Sequence, residues 1–215
     1  VKTLHPKIYG GLLADLDNNN HNDDLKNNDL KVFDLVVVNL YPFKQVTSQE
    51  HNEDDAIENI DIGGVSLIRA AAKNYKYVSV LVDPKQYDEY IYSNINKEYR
   101  KKLASQAFKY VTEYDQNISS YFNKDIVYRT WTKSYPLKYG LNPHQKNSSI
   151  LSINDNNLPF KVLNGKPGYI NIIDAVQSYN LVKEVKLATG YSAVTSFKHT
   201  TPTGLAVKNR PITND

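Results

Sequence analysis

Two short runs constrain this chain most: residues 33–40 read FDLVVVNL and residues 77–82 read YVSVLV. Each is a dense β-branched stretch, the pattern of a strand buried on both faces. Each stops at a proline, Pro42 and Pro84, where a ladder of hydrogen bonds cannot continue. Between them, VSLIRAAAKN has the composition of a strong helix, and residues 49–59 have helical spacing with acidic side chains. After the second run, residues 83–94 and 97–122 read as helices, the second one long. Strands alternating with helices predict an α/β fold with a parallel sheet.

Residues 15–30 (DLDNNNHNDDLKNNDL) are polar and Asn-rich, either a surface loop or a loosely formed helix. Residues 123–136 break the alternation and read as a linker. Beyond them come a strand candidate at PFKVLNG, a turn at Lys166-Pro167-Gly168, a helix over 172–188 and a strand over 192–197. This predicts a second α/β unit, with domains at 1–130 and 131–215.

Composition narrows the class. With 215 residues, 40% hydrophobic and 23% charged, the chain is globular and long enough for one large or two modest domains. A net charge of +3 with no basic run argues against a nucleic-acid binder and suits an anionic small molecule. There is no Cys, hence no disulfide and no thiolate chemistry. No apolar run has spanning length and no signal peptide precedes the first strand, so a soluble cytoplasmic protein without a membrane partner is expected. No Met stands at the start, and VKTLHP opens as if inside a motif, so the sequence reads as an internal fragment.

Five segments carry candidate chemistry. In IDIGGVSLIRAAAK, Asp61 and Ile62 lead into Gly63 and Gly64 at a helix start. The glycines could let a ligand anion approach the free amides, or Asp61 could simply cap the helix. Arg69 and Lys73 lie four apart, on one helical face. That face is either solvated, or the intervening alanines pack closely and part-bury Lys73, lowering its proton affinity. In VKTLHP, Lys2 and Thr3 offer a cation and a hydroxyl to a phosphate, and His5 reads as a structural hydrogen-bond partner. NLYPF puts Asn39 and Tyr41 beyond the carboxyl end of a strand, where open parallel sheets bind ligands; the rival reading of Tyr41 is a core tyrosine.

LKYGLNPHQ sets Lys138, Tyr139, Asn142 and His144 in a Gly/Pro turn. In SFKHTTPTG, Lys198 and His199 follow a strand. A neutral imidazole can take a proton from an amine, and an ammonium can steady a carbonyl oxygen that gains charge. Neighbours on an extended strand point to opposite faces, so a shared reaction needs a turn, which Thr200-Thr201-Pro202 and Gly204 are expected to supply. The rival reading is a solvated pair.

VKTLHP, NLYPF, IDIGGVSLIRAAAKN, LKYGLNPHQ, VLNGKPGYIN and SFKHTTPTG stand in this order in one chain. With them the chain resembles, over essentially its whole length, the family of bifunctional purine biosynthesis enzymes. The resemblance implies an IMP cyclohydrolase domain of methylglyoxal-synthase-like fold, lacking its start. It implies next the first part of an AICAR formyltransferase domain built from cytidine-deaminase-like α/β layers. The implied reactions are formyl transfer from 10-formyltetrahydrofolate to AICAR, giving FAICAR, and closure of FAICAR to IMP with loss of water. Neither needs a metal, and the implied assembly is a cytosolic homodimer.

By motif match, Lys2 and Thr3 resemble phosphate or ribose contacts, and Asn39, Asp61, Ile62, Gly63 and Gly64 resemble nucleotide contacts. Lys73 is similar to the lysine that moves a proton in cyclisation, with Tyr41 and Asp61 assisting. Lys198 resembles the transition-state stabiliser and His199 the catalytic histidine of formyl transfer. Lys138 and Tyr139 match an Arg-Tyr pair that grips the AICAR nucleotide, with His144 and Asn171 as further contacts. The lysine at 138 keeps the charge of the usual arginine but loses its planar fork. The resemblance also implies that the 215-residue chain alone lacks formyl transfer, and that an open sheet edge compromises cyclisation. The alternative reading is a non-catalytic purine-nucleotide-binding module derived from the same family.

Overall fold

The computed structural model describes residues 4–153 and 158–208. The chain divides into two compact units, Val1–Tyr128 and Arg129–Asp215.

The first unit runs α1 (Pro6–Leu13), α2 (Asn19–Asn27), β1 (Leu35–Val37), α3 (Phe43–Thr47), α4 (Glu53–Glu58), α5 (Gly63–Lys73), β2 (Ser79–Leu81), α6 (Gln86–Tyr92) and α7 (Lys97–Phe122). β1 and β2 pair in parallel, Leu35 with Ser79 and Val37 with Leu81, joined through α3, α4 and α5. The core lies where α5 and α7 meet the sheet: Ile68, Ala71, Val78, Val80, Ala107 and Val111 are all buried. The alanines of RAAAK explain the tight fit, since a small face lets α5 and α7 approach closely. Phe43 fills the far side, edge-on to Tyr114 and Tyr121.

Local chemistry accounts for most element ends. α1 begins at His5, whose Nδ1 accepts the Lys7 amide, with Pro6 next in the first turn. This is the structural role expected of His5. α4 starts with a reciprocal capping box between Asn52 and Asp55. Asn96 caps α7 through the Tyr99 amide. The Asn-rich stretch forms a helix, α2, capped by Asn18.

One strand departs from expectation. The run 33–40 yields only three paired residues, and it is not buried on both faces: Leu35 and Val37 are exposed, while Val36 and Val38 pack inward. β1 pairs with β2 alone among the described residues, so its other edge is unpaired. β2, between α5, α7 and β1, is buried throughout.

The second unit contains β3 (Trp131–Pro136), β4 (Ser149–Ile153), α8 (Tyr169–Thr189), β5 (Ala193–Lys198) and β6 (Thr201–Val207). β3 pairs antiparallel with β4, and β5 with β6. The stretch expected as linker therefore ends in a strand, which polar residues such as Thr132 and Lys133 disguise. PFKVLNG is not a strand; it runs without regular structure, and the chain bends at Asn164-Gly165, with Gly165 at φ 78°, rather than at Lys166-Pro167-Gly168. α8 starts three residues earlier than expected because Asn171 accepts the Gly168 amide and caps it there. Gly190, at φ 72°, closes it with the left-handed residue a helix C-terminus favours.

Candidate functional site

In the first unit, Asn39 and Tyr41 follow the carboxyl end of β1. Asn39 donates to the Val82 carbonyl (3.2 Å) and accepts from the Tyr87 hydroxyl (3.2 Å), tying the ends of both strands together. Tyr41 is 56% exposed, which rules out the core reading of that ring. The adjoining Leu40 is buried and lies against the start of α5: a Cβ on Gly64 would stand 2.8 Å from its Cδ2.

The Asp61 carboxylate accepts the Gly64 amide at 2.6 Å, so it caps α5. The same Gly64 leaves room for that carboxylate, since a Cβ there would meet Oδ2 at 2.6 Å. Ile62 is 66% exposed beside it. Both loops are pinned by tyrosines one turn apart on α7. The Tyr110 hydroxyl accepts the Leu40 amide, and the Tyr114 hydroxyl accepts the Asp61 amide (2.8 Å) while donating to the Asn59 carbonyl (2.7 Å). Burial pushes the Tyr114 phenol above its ordinary pKa. Sequence reading missed this pair; their spacing of four on a helix was its visible signal.

Lys73 stands elsewhere. It is the last residue of α5, about 15 Å along the axis from Gly63 at 1.5 Å per residue. Ala70, Ala71 and Ala72 are buried, but Lys73 itself is exposed. The small-residue run thus buries its alanines, not the lysine. Arg69, one turn earlier, is also exposed, its guanidinium 5.8 Å from the Phe108 ring centre. Lys2 and Thr3 lie outside the described residues. A cavity of about 180 Å³ opens at the opposite, amino ends of the strands, lined by Asp34, Asn74, Lys76, Tyr77, Val78 and Arg100 among others. None of the residues singled out from the sequence lines it.

In the second unit the candidates gather around the first turns of α8. The Lys138 amide donates to the Pro167 carbonyl, and the Tyr169 amide to the Tyr139 carbonyl. Gly168 lies under the Tyr139 ring, within 3.2 Å of where a Cβ would stand. Asn171 holds the Gly168 amide at 2.9 Å, so its carboxamide is engaged with the backbone beside Tyr139. Lys138 is exposed, with its ammonium 5.8 Å from the centre of the Tyr139 ring. His144 is exposed on the loop that Gln145 organises by accepting the Asn142 amide.

Lys198 is the last residue of β5, and the turn falls on His199 and Thr200 themselves, not on Thr200-Thr201-Pro202. Both have positive φ, 51° and 62°, and Lys198 pairs with Thr201 across them, the geometry of a type I′ two-residue turn. Such φ values cost about 1–3 kcal/mol at each non-glycine residue. Pro202 and Gly204 lie within β6, where Thr203 bulges and donates to the Ser196 carbonyl. The turn is held to α8 by Asp174, whose Oδ1 accepts the Thr200 amide at 2.7 Å. Lys198 and His199 remain exposed. Among the described residues no group of three or more His, Cys, Asp or Glu is placed to hold a metal ion, and no helix is long and apolar enough to cross a membrane.

Comparison with known proteins places this geometry in context. The family described as MGS-like domain matches residues 2–66, and the family described as AICARFT/IMPCHase bienzyme matches residues 71–213. The chain is 44% identical over 228 residues to the bifunctional purine biosynthesis protein PurH of Prochlorococcus marinus (strain MIT 9215), covering 97% of this chain and 44% of that protein. It is 42% identical to the protein of the same name from Thermoanaerobacter sp. (strain X514), covering 96% of this chain and 43% of the relative. The chain thus spans less than half the length of these relatives. Among solved structures, that described as the crystal structure of ForH superposes with a TM-score of 0.51 at 28% identity, over 57% of this chain and 66% of the other. With an α/β architecture containing a parallel strand pair, and a family match over two thirds of its length, this chain belongs to the AICARFT/IMPCHase bienzyme family.

Proposed function

We propose that the protein carrying this chain performs two consecutive steps of purine biosynthesis. The first is formyl transfer from a folate-type donor, 10-formyltetrahydrofolate, to the amine of AICAR. The second is ring closure of FAICAR to IMP. The boundary between the two activities falls near residue 130, and the working assembly is a cytosolic homodimer acting on small purine intermediates.

One observation carries the formyl-transfer assignment beyond family membership: His199 sits in a strained two-residue turn anchored to the helix that Asn171 caps and Tyr139 abuts. Non-glycine residues held at positive φ cluster at functional sites, and here the two fall beside an exposed lysine. In this reading the His199 imidazole accepts the proton as the AICAR amine attacks the formyl carbon, and the Lys198 ammonium steadies the oxygen that becomes negative; the adduct then collapses by breaking the bond between the formyl carbon and the folate N10, and tetrahydrofolate leaves with that nitrogen taking up the proton. Lys138 and Tyr139 hold the nucleotide, with His144 and Asn171 nearby in the same unit.

For cyclisation, Asn39, Tyr41, Asp61, Ile62, Gly63 and Gly64 border one region at the carboxyl ends of the parallel strands, with Lys2 and Thr3 assigned to the phosphate or ribose. Lys73 is assigned to proton transfer, although α5 sets it a helix length from Asp61 in this structure. The test uses the full-length protein. Lys73→Ala is expected to abolish FAICAR cyclisation and spare formyl transfer, and His199→Ala to do the reverse. Loss of both activities in both variants would defeat these assignments. Nucleotide binding with no turnover in the unsubstituted protein would favour a non-catalytic binding module.

A further inference from the structure

We infer that Asp174 is a positioning residue for formyl transfer, holding the turn that aims His199; the inference rests on the role proposed above for His199. The turn is built from residues that disfavour it. A two-residue turn with both φ values positive suits Asn-Gly or Gly-Gly, and Thr200, being β-branched, is among the poorest choices. An unsupported His-Thr pair would relax toward negative φ and swing the imidazole away.

The support comes from α8. Asp174 Oδ1 accepts the Thr200 amide at 2.7 Å, a short charge-assisted bond across 26 residues of sequence. Thr200 is half-buried where it meets the helix, while Lys198 and His199 are exposed. The anchored residue and the free one are therefore adjacent, and the anchor fixes the direction of the other. Asp174 also lies three residues after Asn171, on the same face of α8. Asn171 engages the Gly168 amide beneath Tyr139. One helix face thus sets the distance between the Lys138-Tyr139 segment and His199. The Asp174 oxygen nearest the turn is occupied by a backbone amide, so its role is geometric rather than chemical.

The decisive experiment compares Asp174→Ala, Asp174→Asn, and Asp174→Ala combined with Thr200→Gly, in the full-length protein. Asp174→Ala is expected to lower kcat for formyl transfer about tenfold to a hundredfold, the worth of a hydrogen bond to a charged group, with KM for AICAR within about threefold. Asp174→Asn keeps an oxygen acceptor and retains kcat within about tenfold. Thr200→Gly removes the steric objection to positive φ and restores most of the loss. FAICAR cyclisation is unchanged in all three. Hydrogen exchange at the residue-200 amide, which needs no activity, rises in Asp174→Ala and stays raised in the double variant, where the acceptor is still missing. Unchanged kcat or unchanged exchange in Asp174→Ala overturns the inference, as does a rise in KM at constant kcat, the mark of a ligand contact. A parallel His199→Ala variant that still transfers formyl overturns the role of His199 instead, and the exchange result then still decides whether Asp174 holds the turn.

Discussion

The two candidate regions are positioned by opposite means. In the first unit, the loop after β1 and the start of α5 rest on a dense core, and the tyrosines of α7 hold them from beneath. In the second, the tip of the β5–β6 hairpin is held by one carboxylate, and every residue of β6 is exposed. Packing spreads the task of positioning over many contacts, each replaceable at some cost. A single hydrogen bond concentrates it in one residue, which makes the geometry sharper to set and easier to lose.

The largest test of this contrast lies in the core. Phe43 is fully buried against two tyrosine rings, so Phe43→Ala should destabilise the first unit by about 3–5 kcal/mol. Leu205→Ala, on the exposed β6, should change stability by less than about 0.5 kcal/mol. Urea unfolding followed by hydrogen exchange in α7 for the first, and by Trp131 fluorescence for the second, measures both; equal losses would erase the distinction.

A smaller difference is expected between two glycines. Gly64→Ala forces a Cβ to within 2.6 Å of the Asp61 carboxylate and 2.8 Å of Leu40, for a loss of about 1–3 kcal/mol and a displaced cap. Gly204→Ala meets nothing within 4 Å and should be neutral. Thermal unfolding of the two variants gives the comparison directly, and a neutral Gly64→Ala would mean that the cap is not tightly fitted.

The smallest effect concerns a surface network that belongs to neither region. Lys76 bridges Asp15 and Asp17, and the Tyr77 hydroxyl donates to Asp15. The Tyr77 hydrogen bond does most to hold Asp15 below the ordinary 3.8, and the Lys76 hydrogen bond does most for Asp17. Because both folded values are depressed, their stabilisation is present above that ordinary value and lost as pH falls through the folded ones. Lys76 is raised, chiefly by Asp17, so its share is complete below 10.5 and lost only in strong alkali as pH climbs through the folded value. Asp15→Asn should therefore cost a little stability above about pH 4 and flatten its fall below that, as acid titration of the unfolding midpoint would report.

Much of the architecture was legible in the sequence. α7 begins at Lys97 and ends at Phe122 as its pattern predicts, because Asn96 is a local cap and its apolar spacing is continuous. α5 and β2 follow for similar reasons. The strands of the second unit were harder. Trp131–Pro136 carries polar residues on a largely exposed ribbon, so it lacks the apolar period that marks a half-buried strand. PFKVLNG has strand-like composition but pairs with no strand among the described residues.

At the candidate sites, the sequence by itself determined which residue types were available and in which order: the carboxylate and glycines before α5, the tyrosine after β1, the lysine and histidine after β5. It also marked the turn-formers around them. Only the tertiary structure decided how they are used. It made Asp61 a cap, left Tyr41 and Lys73 exposed, and moved the last turn onto His199 and Thr200. The physical reason is that each outcome depends on a partner distant in sequence: Tyr114 for the Asp61 amide, α7 against the RAAAK alanines, and Asp174 for Thr200. Short-range preference cannot see such partners, and at Thr200 the distant hydrogen bond overrides it.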